Sequence, residues 1–320
     1  MKKIRCAVIG VGYLGRFHAQ KYQLIPHVEL VGVCDVNSEA CKAISLELNV
    51  PAYTDYKDLF GKVDAVSIAA TTNKHFEIAK SLIEQGIHVL IEKPITETVL
   101  QAEELIMLSK KHHVKLQVGH LERFNAARLA LDDYLESPQF IESERLAPFN
   151  PRGTDVNVIL DLMIHDIDII QNMVKSPIAS IVAQGTPVLT KAIDIANARI
   201  TFENHCVANV TASRISFKTE RKTRIFQNNS YISIDYHNKQ LAVFKKGQEE
   251  MFPGIPDIIR EQLEFDKGDA LLEEIKAFLE CIENDTIPLV TGEEGRYALE
   301  TAEKITALIN SNLIERYAEI

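Results

Sequence analysis

The first ~120 residues alternate short apolar runs with stretches whose apolar positions recur every three to four residues. Residues 4–9 read as a buried strand, 13–25 have helical spacing, and 28–35 read as a second strand. Further strands are expected at 63–69, 87–91 and 115–118. Helices are expected at 74–85, closed by Gly86 as a natural C-cap, and at 98–112. Strands and helices in this order predict a parallel, doubly wound α/β sheet, the Rossmann arrangement. After Arg123 the pattern changes. Helical spacing covers 125–135 and 158–174, and longer alternating runs follow at 178–185, 193–202, 207–213, 221–227, 231–235 and 241–245. These predict an α+β domain whose largely antiparallel sheet lays one face on helices. Residues 247–267, with Pro253, Gly254 and Pro256, read as a loop, and helices over 268–283 and 293–310 close the chain.

A chain of 320 residues suits two domains. The expected division is a nucleotide-binding domain over 1–120 and a substrate-binding and oligomerisation domain over 121–320, with the helix at 293–310 free to pack back on the first. The outer face of the antiparallel sheet would leave alternating Val, Ile and Phe exposed. A second copy of the chain is therefore expected to cover it, giving a homodimer or homotetramer.

Composition narrows the function classes. A net charge of −10 argues against a nucleic-acid surface, which needs a basic stripe. The cluster Arg214, Lys218, Arg221, Lys222 and Arg224 reads as a solvated strand face. No stretch is long and apolar enough to span a membrane. The Met1-Lys2-Lys3 start is followed by too short an apolar run for a signal peptide. Five cysteines without paired spacing look like small hydrophobes in a reducing compartment, so a cytoplasmic location is expected.

The chemistry begins at Gly10-Val11-Gly12-Tyr13-Leu14-Gly15, between the first strand and the first helix. Gly10 permits the tight turn, Gly12 lets the backbone approach a pyrophosphate, and Gly15 lets helix and strand pack closely. The pyrophosphate would rest on the N–H groups of the helix N-terminus. Asp35, twenty residues past the last glycine, ends the second strand. An acid there accepts hydrogen bonds from ribose hydroxyls and repels a 2′-phosphate; Val36 and Asn37 offer that phosphate no positive charge. NAD is expected, NADP less so.

Glu92-Lys93-Pro94 follows the strand at 87–91, at the carboxyl end where ligands lie in such sheets. Lys93 there can stabilise negative charge on a substrate oxygen; a solvated lysine in a turn fits the residue equally. Asp161 and His165 stand four apart in a helical segment and so share a face. A carboxylate beside an imidazole suits a general base, and a buried, satisfied His–Asp pair is the structural alternative. Asp166 and Asp168 lie close by, but His-Asp-x-Asp matches no usual metal spacing, and no metal is expected.

Taken together, these segments resemble the Gfo/Idh/MocA family of NAD(P)-dependent oxidoreductases over essentially the whole length. The family order is followed by the glycine turn, Thr72-Asn73-Lys74-His75, Gly86-Ile87-His88-Val89, Glu92-Lys93-Pro94, Asp161-x-x-x-His165 and residues 290–299. The resemblance implies Lys93, Asp161 and His165 as the catalytic set, a Lys93–Pro94 bond often cis, and an open-faced sheet used for assembly. It implies cofactor contacts from Gly10, Gly12, Tyr13, Leu14, Gly15, Asp35, Val36, Ala70, Thr71, Thr72, His75, Glu92 and Lys93. Two departures stand out: residues 155–160 hold no glycine cluster, and Thr71 replaces a frequent proline.

Residues 119–125 and 148–155 are similar to a subgroup that oxidises the C3 hydroxyl of UDP-N-acetylglucosamine for 2,3-diamino sugar (lipid A) synthesis. Arg123 and Arg152 then become candidates for a diphosphate, which a guanidinium fork can grip, and Asn157 a candidate substrate contact; ordinary surface or helix-pairing arginines are the alternative. The expected reaction is reversible hydride transfer between the secondary alcohol of a sugar or sugar nucleotide and nicotinamide. His165 takes the hydroxyl proton, Asp161 orients it, and Lys93 polarises the oxygen. An inositol or polyol dehydrogenase, or a non-catalytic NAD- or sugar-sensing regulator, would fit the same fold.

Overall fold

A computed structural model describes residues 3–151, 156–265 and 268–318. The chain forms two compact units. One comprises 1–124 and 269–299, the other 125–268 and 300–320.

The first unit is built on strands β1 (Ile4–Ile9), β2 (Val28–Cys34), β3 (Ala52–Tyr53), β4 (Ala65–Ile68), β5 (His88–Glu92) and β6 (Leu116–Gly119). They lie in the order β3-β2-β1-β4-β5-β6, every neighbouring pair parallel. Chain direction across the sheet reverses between β1 and β4, which opens a crevice at their carboxyl ends. Helices α1 (Tyr13–Gln23), α2 (Ser38–Leu48), α3 (Thr72–Glu84) and α4 (Val99–His112) connect the strands. The doubly wound expectation holds. Pattern reading had no hold on β3, because two residues carry no periodicity.

The second unit begins with a short helix, α5 (Ala126–Leu131), capped by the Asn125 side chain on the Ala127 N–H. Then come β7 (Pro138–Leu146), a π-helical turn over Ile159–Met163, α6 (Ile164–Val174), and strands β8 (Ile178–Thr186), β9 (Ile195–Phe202), β10 (Val207–Ser213), β11 (Glu220–Gln227), β12 (Ser230–Asp235), β13 (Gln240–Phe252) and β14 (Ile255–Glu264). The eight strands run β14-β13-β12-β11-β7-β10-β9-β8. Only the central β7–β10 pair is parallel.

The loop expected at 247–267 is in large part a strand hairpin. Pro253 and Gly254 occupy its tip, Gly254 has φ +77°, and Phe252 pairs with Ile255. Proline followed by a positive-φ glycine is the chemistry of a type II turn, so these residues reverse the strand rather than end it. Pro256 is tolerated because β14 is the sheet edge.

Helix α7 (Ala270–Glu283) and the first turns of α8 (Gly292–Ala318) return to the first unit. The expected domain break at 120 thus gives way to a non-contiguous division. Apolar residues drive it: Ile275, Phe278 and Leu279 join Tyr22, Cys6 and Leu90 in one core cluster. Gly292 and Gly295 let α8 lie directly against Leu116 and Val118, where any Cβ would fall within 3 Å of those side chains. All five cysteines are buried and free. Among the described residues no helix is long and apolar enough to cross a membrane.

Two buried ion pairs lock the second unit. Asp166 on α6 accepts from Arg145 Nε at 2.7 Å and from the Ser143 hydroxyl at 3.1 Å, both on β7. Asp194 accepts from Arg214 Nε at 2.8 Å and from the backbone N–H groups of Val188, Leu189 and Thr190. Burial would raise the Asp194 pKa, but the Thr190 and Val188 N–H groups and Arg214 outweigh it and hold the carboxyl well below its usual range. Arg214 therefore leaves the solvated strand face expected for it. Lys218 and Lys222 stay nearer the surface, paired with Glu220. Asp194→Ala should strand the Arg214 charge and destabilise the fold by about 3 kcal/mol or more in equilibrium denaturant melts.

Candidate active site

Every turn at the β1–β4 crevice has a defined job. Gly10 has φ +82°, and a Cβ there would lie 2.4 Å from the Ala70 nitrogen. A Cβ on Gly15 would lie 1.7 Å from the Gly10 carbonyl oxygen, so α1 can sit on β1 only with glycine at that position. A Cβ on Gly12 would meet nothing within 4 Å. The space in front of Gly12 is thus open to a ligand, while the other two glycines serve the chain itself. A cavity of about 470 Å³ opens there, lined by Gly10, Gly12, Asp35, Ala70, Thr71 and Lys74 among others.

Asp35 is fixed at the mouth of this cavity. Its Oδ2 accepts the Val11 N–H at 2.8 Å and its Oδ1 the Asn37 N–H at 2.8 Å. Each oxygen keeps a lone pair for a hydroxyl. Asn37 then caps α2, accepting from Glu39 and Ala40. Val36 lines the cavity and is exposed; Tyr13 and Leu14, on the first turn of α1, are exposed too. This arrangement fits a dinucleotide: open glycine backbone for the pyrophosphate, a held carboxylate for the ribose, and apolar contacts on the rim. Thr54, Tyr56 and Asn73 also line the cavity. Tyr56 and Thr54 follow the two-residue strand β3, so no periodicity marked them.

Two residues expected at the cofactor are held by the protein's own groups. His75 is buried, with its ring nitrogens 3.0 Å from the carbonyls of Pro94 and Ala70. Burial lowers its pKa and the two carbonyls oppose that less strongly; the ring sits between the turn after β4 and the turn after β5. Glu92 closes β5 with its side chain only 13% exposed, 2.9 Å from His18 Nε2. Burial alone would raise its pKa, yet the His18 hydrogen bond together with Lys93 holds it below the ordinary carboxylate value. Lys93 follows directly, joined to Pro94 by a cis peptide bond. Thr71 and Thr72 start α3, where the Thr71 hydroxyl donates to Asn73 Oδ1 at 2.7 Å.

Arg123, expected as a diphosphate candidate, is engaged within the protein. It is 4% exposed, and its guanidinium donates to the Glu294 carboxylate and the Leu289 carbonyl, pinning α8 to the turn after β6. Burial raises the Glu294 pKa, but Arg123 and the Thr291 groups more than offset this.

In the second unit, Asp161 lies in the π-helical turn and His165 in the first turn of α6. A regular α-helix over 158–174 was expected; the turn at 159–163 is wider, a distortion common at functional sites. Both side chains are half-buried, whereas Asp166 and Asp168 are buried. Asp166 is committed to Arg145, so the carboxylates of α6 play separate parts. Asn157 is also committed: its Oδ1 accepts from Ile159 and Leu160, and its Nδ2 donates to Thr306. Its side chain thus starts the helix. Arg152 lies outside the described residues.

A Rossmann sheet with an open glycine turn and a ribose-directed acid defines an NAD-binding oxidoreductase. The description "Oxidoreductase family, NAD-binding Rossmann fold" matches residues 4–120, and the GFO/IDH/MocA C-terminal domain matches 132–232. The chain is similar to UDP-N-acetylglucosamine 3-dehydrogenase from Acidithiobacillus ferrooxidans, with 38% identity over 98% of this chain and 99% of that protein. A solved structure of that enzyme matches with a TM-score of 0.92, covering 97% of this chain and 99% of the other. Myo-inositol 2-dehydrogenase from Thermotoga maritima is 25% identical over 92% of this chain and 93% of its own. The chain belongs to the GFO/IDH/MocA family of NAD-binding oxidoreductases.

The glycines make separable predictions. Gly12→Ala should fold with an unchanged thermal midpoint and bind NAD at least tenfold more weakly by calorimetry. Gly15→Ala should lose about 3 kcal/mol or more of stability, because its Cβ clash is with backbone.

Proposed function

We propose that this dehydrogenase oxidises, reversibly, the C3 hydroxyl of UDP-N-acetylglucosamine, yielding a 3-keto sugar nucleotide. The observation that carries the reading is near-full-length similarity to an enzyme of that name at 38% identity, against 25% for the inositol dehydrogenase. Lys93, Asp161 and His165 are all present, which favours an enzyme over a sensor on the same fold.

Bound NAD supplies the hydride acceptor, held by the Gly10–Gly15 turn and Asp35. The chain's own work is then to position the sugar and manage one proton. His165 is the base that takes the hydroxyl proton, and Asp161 sets its orientation. Lys93 donates to the same oxygen and stabilises the charge that grows there. Protein groups for the diphosphate are sought outside Arg123 and Asn157, with Arg152 the remaining arginine candidate.

Self-association through the second unit is part of the proposal. On one face of its sheet Phe140, Phe226, Tyr231 and Phe244 are direct cross-strand partners, with ring centroids 5.0–5.7 Å apart. The opposite face buries Ile141, Ile225, Ile232 and Val243. An aromatic ladder left half-exposed favours a protein partner, and a second copy of this chain is the simplest. Five reduced, buried cysteines favour the cytoplasm.

His165→Ala should lower kcat by about 10³-fold while NAD affinity stays within about threefold. UDP should compete with the sugar substrate; absence of competition, with turnover of inositols, would favour the polyol reading. Tyr231→Glu should shift the particle mass measured by light scattering to that of one chain; an unchanged mass would place the assembly contact elsewhere.

A further inference from the structure

Behind the Lys93 turn lies a buried polar chain contributed by four elements of the first unit. Tyr22 and His18 come from α1, Ser67 from β4, Glu92 from β5 and Glu274 from α7. Tyr22 Oη is 2.8 Å from Ser67 Oγ, Ser67 Oγ is 3.2 Å from His18 Nδ1, and His18 Nε2 is 2.9 Å from Glu92 Oε1. One direction satisfies every donor: Tyr22 donates to Ser67, Ser67 to His18, and His18 to Glu92. Glu92 Oε2 accepts the Lys93 N–H at 3.3 Å.

Glu274 stands apart from this chain in one respect. It is fully buried, and among the described residues neither carboxyl oxygen has a hydrogen-bond partner. Yet the ligand atoms of His18, Glu92 and Glu274 all lie within 4.8 Å of one another. Gln117 of β6 packs there too, but it donates to the Glu274 backbone carbonyl, not to the carboxyl. Two carboxylates this close, away from water, cannot both be ionised. Glu92 has two N–H donors and the neighbouring Lys93; Glu274 has none of these.

We propose that Glu92 and Glu274 form a buried pair carrying one negative charge, on Glu92, and that Glu274 is a positioning residue for the Lys93 turn. The proton stays on Glu274. A neutral acid beside Glu92 leaves that carboxylate in place, between His18 and the Lys93 backbone, where a second charge would drive it out. The fixed charge in turn favours the ammonium form of Lys93, the form that can donate to a substrate oxygen. Burial and the charge on Glu92 both push the Glu274 carboxyl well above its ordinary range. A divalent cation fits the same three ligands less well, because His18 Nε2 is already turned to Glu92 and the Tyr22–Ser67–His18 direction puts its proton there.

The role in turnover rests on the dehydrogenase reading; the charge state does not, and two measurements test it without substrate. Infrared spectra of the wild type at slightly alkaline pH should contain the carbonyl band of a protonated carboxylic acid, shifted in D2O and missing in Glu274→Gln. Lys93, followed by NMR of its side-chain nitrogen, should titrate lower by about one unit in Glu92→Gln and keep its wild-type midpoint in Glu274→Gln. His18, Tyr22, Glu92, Glu274 and Lys93 face this pocket, with His75 near Glu92 and Cys6 near Tyr22 as further ionisable neighbours, and those two variants separate the two carboxyl charges. No such band in the wild type, or an equal drop in both variants, would overturn the proposal. For turnover, Glu274→Met should melt no lower than wild type yet lose about tenfold in kcat with little change in KM, and Glu274→Gln should recover most of that loss. A Met variant with undiminished kcat would remove the positioning role. If no sugar is turned over while the band and the titrations hold, the dehydrogenase reading fails and the charged pair stands.

Discussion

The first unit depends on one close approach. Helix α1 can begin at Tyr13 and still pack on β1 because position 15 has no side chain, leaving its Cα against the Gly10 carbonyl. That contact sets how far α1 projects past the sheet. The projection decides where the N–H groups of its first turn lie and keeps the space before Gly12 open. It also delivers His18, one turn further along, to the end of β5. Cofactor cradle and buried charge chain are thus two consequences of the same helix placement. A helix lifted even slightly from the strand would lose both.

Legibility followed the size and periodicity of each signal. The glycine turn, Asp35 and the parallel strands were readable because each needs a specific residue type at a specific spacing. The apolar stripe of α7 was readable as helix, but its return to the first unit was not; for the helix at 293–310 a return was anticipated, and residues 292–299 of α8 make it. Which sheet a helix covers is decided by shape match, and sequence pattern does not encode the partner. The hairpin at 240–264 failed differently. Pro253 and Gly254 are breakers in isolation and a turn when flanked by pairing strands, so the same residues support opposite readings until the pairing is known. β7 went unread because its exposed and buried positions mix charged with apolar residues on both faces, as in Glu142, Glu144 and Arg145.

Among site residues the same division appears. Residues that present backbone or a charge to a ligand were anticipated. His75, Arg123 and Asn157, expected as ligand contacts, are engaged by the protein's own groups, and His18 and Glu274 were not singled out at all. A buried polar side chain satisfied by the protein and one reserved for a ligand use the same amino acids, and only the partner list separates them. Arg123 illustrates this: its guanidinium suits a diphosphate, but a carboxylate from α8 reaches it first.

The second unit divides its labour between the two faces of one sheet. The inner face carries branched aliphatic residues and buries two arginine–carboxylate pairs, each completed by additional donors from backbone or hydroxyl groups. Such pairs are costly to break and of modest net value when intact, so their use here is to fix geometry. Asp166–Arg145 anchors α6, the helix that carries His165, to the sheet one residue from that imidazole. Anchoring so close to a candidate base restricts its helix without consuming the base itself. The neighbouring wide turn at 159–163 then alters the angular relation between Asp161 and His165 from that of a plain i, i+4 pair. Substrate preference is therefore expected to be set around this turn and residues 155–160, where the chain holds no glycine cluster, more than by Lys93, Asp161 and His165.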